Sequence, residues 1–368
     1  MRFAANDIDI TISRLAAKAG VDSILGVASV KMPSINEELR MSDRKNTPSL
    51  PARRRTLFTL AALGAGLSGG LAGRIAQAAD APKTLRIGYQ KYGNFVVLKA
   101  RGSLDKRLAA QGITVQWLEF PAGPQLLEGL NAGAVDIGTV GETPPIFAQA
   151  AGVDFVYIGH EPPAPRAEAI VVPKDSKLQS VAELRGKKVA LNRGSNVHFL
   201  LVEALRKSNL AWSDIQPVYL APADARAAFV QGSIDAWAIW DPYLAAAEKQ
   251  ASARQLTDAS GLVRNVQYYL ATRKMATAQP QLVHTVLEEL DQVDRWAREN
   301  VPAVAAQLSP LIGLDTDILE TALRRTSYGV QQIEPATLAY QQQIADTFTG
   351  LKLIPKKLDV TEARWNVA

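Results

Sequence analysis

Apolar and polar stretches alternate along residues 85–240 in a pattern that predicts strands and helices in turn. Apolar runs predict strands over residues 85–89, 114–120, 135–140, 188–191, 215–220 and 236–240. Helices are predicted between them, over residues 96–108, in a short segment that ends near Asn131, and after residue 196, where Val197, Leu200, Leu201, Ala204 and Leu205 share one face. Residues beyond Pro280 are predicted to be mostly helical. This order indicates an α/β fold with mainly parallel sheets.

Two segments 99 residues apart share one pattern. Residues 133–142 align without gaps with residues 232–241, and each segment turns at Gly, leads an Asp into an apolar strand and ends in an acid, Glu142 or Asp241. Two lobes built on one plan would give this match, but chance is the alternative, because Gly is common after helices. Ligands of open α/β sheets lie beyond the carboxyl ends of strands, so the match places both end loops at one cleft.

Composition and charge narrow the classes of function. The 368 residues are 47% hydrophobic, enough for one or two packed domains. Cysteine is absent, and His160, His198 and His284 show no metal-ligand spacing, so neither a disulfide nor a metal site is expected. Residues 1–78 hold 11 Lys and Arg against 6 Asp and Glu, whereas the rest of the chain holds 30 of each. A neutral body argues against nucleic acid as a partner.

The first 78 residues resemble an export leader. Arg53–Arg55 precede an apolar, Gly-rich run over residues 57–73, and Ala76-Gln77-Ala78 has the small-x-small pattern of a signal-peptidase site. The arginines and the weakly apolar run favour a twin-arginine signal. An uncleaved anchor helix is the alternative reading, although the run is short for a membrane span. We expect Met41 to be the true start, residues 1–40 to be an annotation extension and the mature protein to be periplasmic.

Several loops at predicted strand ends carry groups suited to an anion. The turn before the helix at residue 197 offers the backbone N–H groups of Gly194, Ser195 and Asn196 at a positive helix end, together with two polar side chains, although simple N-capping would also place them there. Thr143 precedes two prolines that favour a helix start. Gln90 supplies an amide donor in the loop after the first strand.

Other residues near these loops are weaker candidates. Lys91, Arg166 and Arg193 would add positive charge, although each also suits an exposed surface position. Trp240 and Tyr243 would wall an apolar tail, although core packing explains such aromatic residues equally well. The Pro-rich segment 161–166 indicates a stiff crossover.

The sequence lacks the common motifs of enzymes. It contains no nucleophile elbow in the right context, no P-loop and no dinucleotide-binding fingerprint. Glu142 and Asp241 could be imagined as a catalytic pair, but hydrogen bonds to loop N–H groups are the simpler role. No catalytic residue and no cofactor are therefore expected.

From about residue 85 to 365 the chain resembles the aliphatic sulfonate-binding proteins of ABC importers, within the wider group that binds nitrate, sulfonate, taurine and thiamine precursors. The resemblance rests on stretches that follow one another in order: 88–93 (GYQKYG), 120–125 (FPAGPQ), 141–145 (GETPP), 161–165 (EPPAP), 194–198 (GSNVH), 221–226 (APADAR) and 240–243 (WDPY). Together these stretches are specific.

The resemblance implies a two-lobed periplasmic binding protein fold of type II with two crossover segments. One lobe would comprise residues 83–168 and 268–368, and the other residues 169–267. The sulfonate would lie between the lobes, which close around it and present the closed shape to a membrane permease. We expect a monomer. The implied ligand-binding residues are Gln90, Glu142, Thr143, Gly194, Ser195, Asn196, Trp240 and Asp241.

Three alternatives stay open at this point. The ligand could be taurine, nitrate or a sulfate ester, and for taurine Glu142 or Asp241 would pair with the ammonium group. Relatives of the fold also include an enzyme that makes a thiamine pyrimidine precursor with PLP, which the export leader disfavours; among the histidines only His198 lies in a candidate cleft loop. A ligand-sensing domain is the third alternative, and no signalling domain follows residue 368.

Overall fold

The computed structural model describes residues 84–365, which form two β-sheets with helices packed around them. The strands are β1 (Thr84–Tyr89), β2 (Thr114–Glu119), β3 (Ile137–Gly141), β4 (Phe155–His160), β5 (Glu168–Val172), β6 (Lys188–Leu191), β7 (Gln216–Tyr219), β8 (Ala236–Trp240), β9 (Arg254–Asp258) and β10 (Gln267–Thr272). The helices are α1 (Asn94–Arg101), α2 (Ser103–Ala109), α3 (Gly123–Asn131), α4 (Pro144–Ala150), α5 (Asn196–Lys207), α6 (Pro222–Val230), α7 (Tyr243–Gln250), α8 (Arg273–Ala278), α9 (Pro280–Glu299), α10 (Val301–Ile312), α11 (Thr316–Leu323) and α12 (Pro335–Gly350). The predicted α/β class is confirmed.

The two sheets share one topology. The first has the strand order β2-β1-β3-β10-β4 and the second the order β7-β6-β8-β5-β9. In each sheet the first three strands are parallel, as predicted, whereas β10 and β5 pair antiparallel with both neighbours. Both sheets are therefore mixed rather than all parallel. The reason is that β5 and β10 each enter from the opposite sheet, and not through a helical crossover within their own sheet.

The internal sequence match corresponds to equivalent strands. Asp136 precedes β3 and its carboxylate accepts the backbone N–H of Arg86 at 2.9 Å, while Asp235 precedes β8 and accepts the backbone N–H of Lys188 at 2.8 Å. Each aspartate N–H in turn donates to the carbonyl of the same partner residue. The repeated Asp thus joins β3 to β1 in the first sheet and β8 to β6 in the second, and chance is not needed to explain the match.

Two crossovers connect the sheets and lie beside one another. Residues 161–167 lead from β4 to β5, and residues 259–266 lead from β9 to β10. The backbone N–H of Ala164 in the first donates to the carbonyls of Arg264 and Asn265 in the second. We keep the lobe boundaries 83–168 with 268–368, and 169–267, as a proposal that these two crossovers support.

The helix predicted over residues 96–108 is in fact two helices, α1 and α2. Gly102 separates them with a φ of 63°, and its N–H donates to the carbonyls of Leu98 and Lys99. A left-handed residue with this bonding ends a helix, and Gly adopts it without steric cost. The apolar period continues on both sides, which is why the pattern concealed the break.

The region after residue 280 is largely helical, as predicted. In α9 the buried residues Leu282, Val283, Val286 and Leu290 lie on one face, which packs in the core of the first sheet. Among residues 84–365, no helix is both long and apolar enough to cross a membrane. The leader, its cleavage site and the start at Met41 lie outside the described residues.

Candidate functional site

A small cavity lies where strand ends of both sheets meet. It is lined by Gln90, Tyr92, Gly123, Gly141, Pro144, Ser195, Asn196, Trp240, Asn265 and Gln267, and it holds about 300 Å³ of space between atoms, part of it open to solvent. Gln90, Gly141 and Trp240 stand at the carboxyl ends of β1, β3 and β8. The structure therefore brings four of the predicted site residues together, Gln90, Ser195, Asn196 and Trp240, at the edge where α/β sheets bind ligands.

Three helices begin at this cavity. Gly123, Pro144 and Asn196 are the first residues of α3, α4 and α5, and all three line it. In the described chain, the backbone N–H groups of Asn196 and Val197 make no hydrogen bond to a protein acceptor. Free N–H groups at a helix start, together with the helix dipole, favour a negatively charged group. The cavity is therefore suited to an anion.

Asn196 joins the two sheets across the cavity. Its Oδ1 accepts the backbone N–H of Thr143 at 3.2 Å, and its Nδ2 donates to Oδ1 of Asn265 at 2.8 Å. Asn265 in turn donates to the carbonyl of Ala164 at 2.9 Å. A Cβ placed on Gly141 would lie 1.9 Å from Oδ1 of Asn196. The Asn196 amide is thus a bridge between the sheets, and only Gly leaves room for it.

Four of the predicted site residues are not among those that line the cavity. Glu142 is buried behind it, where Oε2 accepts the backbone N–H of Val266 at 2.9 Å. Thr143 donates its N–H to Asn196. Asp241 accepts the backbone N–H of Ala245 at 3.0 Å, and Gly194 lies one residue before the lining. These residues hold the loops that form the cavity, and direct ligand contact by them stays a prediction.

The turn before α5 is held by internal hydrogen bonds. The Ser195 hydroxyl donates to the carbonyl of Asn192 at 2.7 Å, and the Gly194 N–H donates to Nδ1 of His198 at 3.1 Å. Burial, with a smaller contribution from Arg193, lowers the pKa of His198 to about 3. The imidazole is therefore neutral, and its Nδ1 is an acceptor. Gly194 has a φ of 74°, which favours glycine in this turn.

The candidate cations are not among the residues that line the cavity. Arg166 and Arg193 are exposed, and the guanidinium of Arg193 lies 5.6 Å from the ring centre of Tyr219. Lys91 donates to the carbonyl of Ile312 at 3.1 Å. Tyr243 contacts Trp240, with the ring centres 6.4 Å apart, and is not part of the lining. Among the described residues, those that line the cavity include no Lys or Arg, so its donors are neutral.

Sequence reasoning missed Tyr92, Asn265 and Gln267. Tyr92 stands in the GYQKYG stretch, two residues after Gln90. For an aromatic residue in a loop, the sequence does not show whether its side chain points into a cleft. Asn265 lies near the end of the second crossover, and Gln267 is the first residue of β10. Their position close to the predicted boundary at residues 267–268 was the available signal.

Buried carboxyl groups lie close to the cavity, since burial raises the pKa of Tyr92 in its lining and nearby carboxyl charges raise it further. Burial raises the pKa values of Glu142, Glu161 and Asp241 to about 7 each. Burial raises the pKa of Glu168 well above its usual range, and the charge of Glu142 adds to this effect. Neither carboxyl oxygen of Glu168 has a hydrogen-bond partner in the described chain. These groups are therefore partly or wholly protonated near neutral pH, which limits their repulsion of an anion.

Replacing His198 separates two roles of this side chain. We expect His198→Phe to keep the ring packing against Phe147 but to leave the Gly194 N–H without its acceptor, a loss of about 1–3 kcal/mol that weakens ligand binding roughly tenfold. His198→Asn retains an acceptor near Nδ1 but loses the ring, so it should lower the melting temperature more than the affinity. Calorimetric titration and thermal unfolding of both variants check this pattern. Equal affinities for His198→Phe and the wild type would contradict it.

Comparison with known proteins gives consistent results. The model of the family described as "NMT1/THI5 like" matches residues 108–300. Two curated proteins named "Putative aliphatic sulfonates-binding protein" are similar to this chain. That of Escherichia coli is 44% identical over 290 residues, which is 78% of this chain and 90% of the relative. That of Bacillus subtilis is 32% identical over 282 residues, or 76% and 85%.

Solved structures agree with the sequence matches. The alkanesulfonate-binding protein SsuA from Xanthomonas axonopodis pv. citri, solved bound to MOPS, has a TM-score of 0.76 and 42% identity to this chain. The match covers 78% of this chain and the whole of that one. The periplasmic aliphatic sulphonate binding protein SsuA from Escherichia coli has a TM-score of 0.72 and 43% identity, over 78% and 94%.

Proposed function

We infer the function of this chain from its family, because the chain belongs to the aliphatic sulfonate-binding proteins within the NMT1/THI5-like family. It binds aliphatic sulfonates and delivers them to an ABC importer, and it is a binding protein rather than an enzyme. The observation that carries this function is the cavity between the two sheets, where three helices begin and the lining side chains carry no positive charge.

The chemistry of a sulfonate matches such a cavity. A sulfonate stays ionised at physiological pH, so it needs no titrating partner and can be held by neutral donors and helix ends. We assign the head group to the N-terminus of α5, the Gln90 amide and the Tyr92 hydroxyl. Gln90 already donates one amide hydrogen to the carbonyl of Thr139, which leaves its second hydrogen for the ligand. Ser195 can donate only if it releases the carbonyl of Asn192.

Trp240 provides the apolar part of the site. It ends β8, is 6% exposed and lines the cavity from the second sheet, opposite Gln90 of the first. An aromatic face at this position favours an alkyl tail attached to the sulfonate over a bare inorganic anion. We propose that the ligand bridges the two sheets and that the lobes close on it. We further propose a periplasmic monomer that meets a membrane permease in the closed state.

A ligand panel tests this function. The melting temperature of the purified protein should rise by a few degrees with methane-, ethane-, butane- or octanesulfonate at about one hundred times the dissociation constant. Sulfate, nitrate, taurine and a thiamine pyrimidine complete the panel. The buffer must be phosphate or Tris, because MOPS and related buffers are themselves sulfonates. A rise with taurine, nitrate or sulfate alone would overturn the assigned ligand and keep the fold.

The affinity should depend on pH although the ligand does not titrate. Glu142, Glu161 and Asp241, with pKa values of about 7, lie next to or act on cavity residues. A bound sulfonate repels their ionised forms, so it binds more tightly when they are neutral. We expect the affinity for butanesulfonate to increase about threefold to tenfold as the pH falls from 8 to 6. Titration calorimetry across this range measures it, and a flat profile would refute the coupling.

A further inference from the structure

The helix after Trp240 makes a contact with the body of the first sheet. Helix α7 follows β8 of the second sheet, and α11 follows α10, whose apolar residues lie in the core around the first sheet. Ala245 and Ala246 of α7 pack against Ile318 and Ala322 of α11 in a small buried cluster. The contact therefore joins the two sheet bodies at a point distinct from the crossovers.

Arg325 adds an ion pair to this contact. Its Nη2 lies 2.7 Å from Oε2 of Glu248, and its Nη1 lies 3.6 Å from Oδ1 of Asp241. The Arg325 side chain is 15% exposed and that of Asp241 is fully buried. Asp241 also accepts the backbone N–H of Ala245. The Arg325 guanidinium, just after α11, thus contacts Asp241 just before α7 and Glu248 in the second turn of α7.

We propose that Arg325 is a positioning residue for ligand binding, whose ion pairs with Asp241 and Glu248 hold the Trp240 end of β8 against the cavity in the closed arrangement. The proposal rests on the proposed function. Arg325 is absent from the cavity lining, so it acts through Asp241, which directly follows Trp240 in the chain. When the two sheet bodies separate, the pair separates with them, so its formation favours closure.

The charges around Asp241 give this role a distinctive signature. Burial raises the pKa of Asp241, and the nearby Arg325 opposes the rise. Glu248 faces the same carboxyl and Tyr92 lies within range of its charge. Without Arg325 the pKa of Asp241 moves further upward. The pH at which sulfonate affinity declines therefore moves upward as well, which a purely packing role would not cause.

Arg324 provides a matched control. It precedes Arg325 directly and follows the last residue of α11, but it is exposed and pairs with Glu320 of that helix at 3.1 Å. Its ion pair spans one turn of α11 and does not reach α7. Exposed pairs of this kind contribute little to stability. Arg324→Gln therefore removes the same chemical group without affecting the contact between the two bodies.

The test compares Arg325→Gln, Arg325→Lys, Arg324→Gln and the wild type by surface plasmon resonance and calorimetry with butanesulfonate. We expect Arg325→Gln to raise the dissociation constant about tenfold, mainly through faster dissociation, because Asp241 and Glu248 lose the partner that holds them to the first sheet body. Arg325→Lys should recover most of the affinity, and Arg324→Gln should match the wild type. The affinity of Arg325→Gln should also decline at a higher pH. Unchanged affinity in Arg325→Gln, or an equal loss in Arg324→Gln, would overturn the proposal.

A second measurement needs no ligand. Small-angle scattering of the ligand-free proteins should show a larger radius of gyration for Arg325→Gln than for Arg324→Gln, because the ion pair favours the closed arrangement. Equal radii of gyration in the two variants would count against a role of the Arg325 ion pair in closure. If the wild type binds no sulfonate but Arg325→Gln still expands, the assigned ligand fails and the positioning role stands. If the wild type binds sulfonate and neither readout changes, the positioning role alone fails.

Discussion

Replacing Gly141 with alanine should reduce sulfonate affinity by about a hundredfold or more without unfolding the protein. A Cβ at this position would lie 1.9 Å from Oδ1 and 2.2 Å from Cγ of Asn196, the first residue of α5, which follows β6 of the other sheet. The Asn196 side chain must leave, and the hydrogen bonds to Thr143 and Asn265 are lost. At about 1–3 kcal/mol for each buried group left unpaired, two such losses correspond to this change in affinity.

The fold itself should tolerate this substitution, because the proposed opening of the lobes would separate Gly141 from Asn196 and give the methyl group room. Titration calorimetry with butanesulfonate and thermal unfolding without ligand measure the two effects separately. Gly350→Ala is the control, since no atom lies within 4 Å of the added Cβ there. A wild-type affinity in Gly141→Ala would show that the Asn196 bridge is not needed for binding.

Replacing Tyr92 with phenylalanine should weaken sulfonate binding about tenfold to a hundredfold while leaving unliganded stability unchanged or slightly higher. The Tyr92 side chain lines the cavity, and its buried hydroxyl makes no well-formed hydrogen bond within the described chain, with Asn265 beside it. Removing an unpaired buried hydroxyl costs the free protein little. The complex loses a donor to a charged group, which contributes about 1.5–3 kcal/mol.

The opposite effects on stability and affinity distinguish a ligand donor from a packing residue. Tyr89→Phe is the control, because the Tyr89 hydroxyl bonds Glu119 at 3.1 Å and does not line the cavity. Melting temperatures and dissociation constants of both variants should be compared in sulfonate-free buffer. If Tyr92→Phe lowers the melting temperature and keeps the affinity, Tyr92 is a packing residue and the assigned donor is wrong.

The absence of lining cations has a consequence for selectivity. A cavity whose lining includes Arg or Lys would bind many anions through charge alone, with strong dependence on salt. We propose that oriented neutral donors and helix ends select the anion by geometry here, and that Trp240 adds a preference for an alkyl tail. We expect the buried carboxyls with pKa values near 7 to weaken anion binding as they ionise.

Local patterns in the sequence were enough to predict several strands, the fold and the class of ligand. Apolar runs bounded by Gly and Pro correctly predicted β1, β6 and β8. This works because the burial of a strand depends on the pattern of residues that follow one another in the chain. The repeated segment located equivalent strands in both sheets. The motifs that resemble the sulfonate-binding family indicated the fold and the ligand class, and four of the eight predicted site residues line the cavity.

Tertiary structure alone decided which polar groups line the cavity. Glu142 and Asp241 end homologous strands, yet each carboxyl bonds a backbone N–H behind the cavity, Glu142 with Val266 and Asp241 with Ala245. Asn265 and Arg325 act on residues more than 60 positions away in the chain. Such hydrogen bonds and ion pairs depend on how the two sheets and their crossovers approach one another. That approach is set by packing between distant segments, and no local period or spacing encodes it.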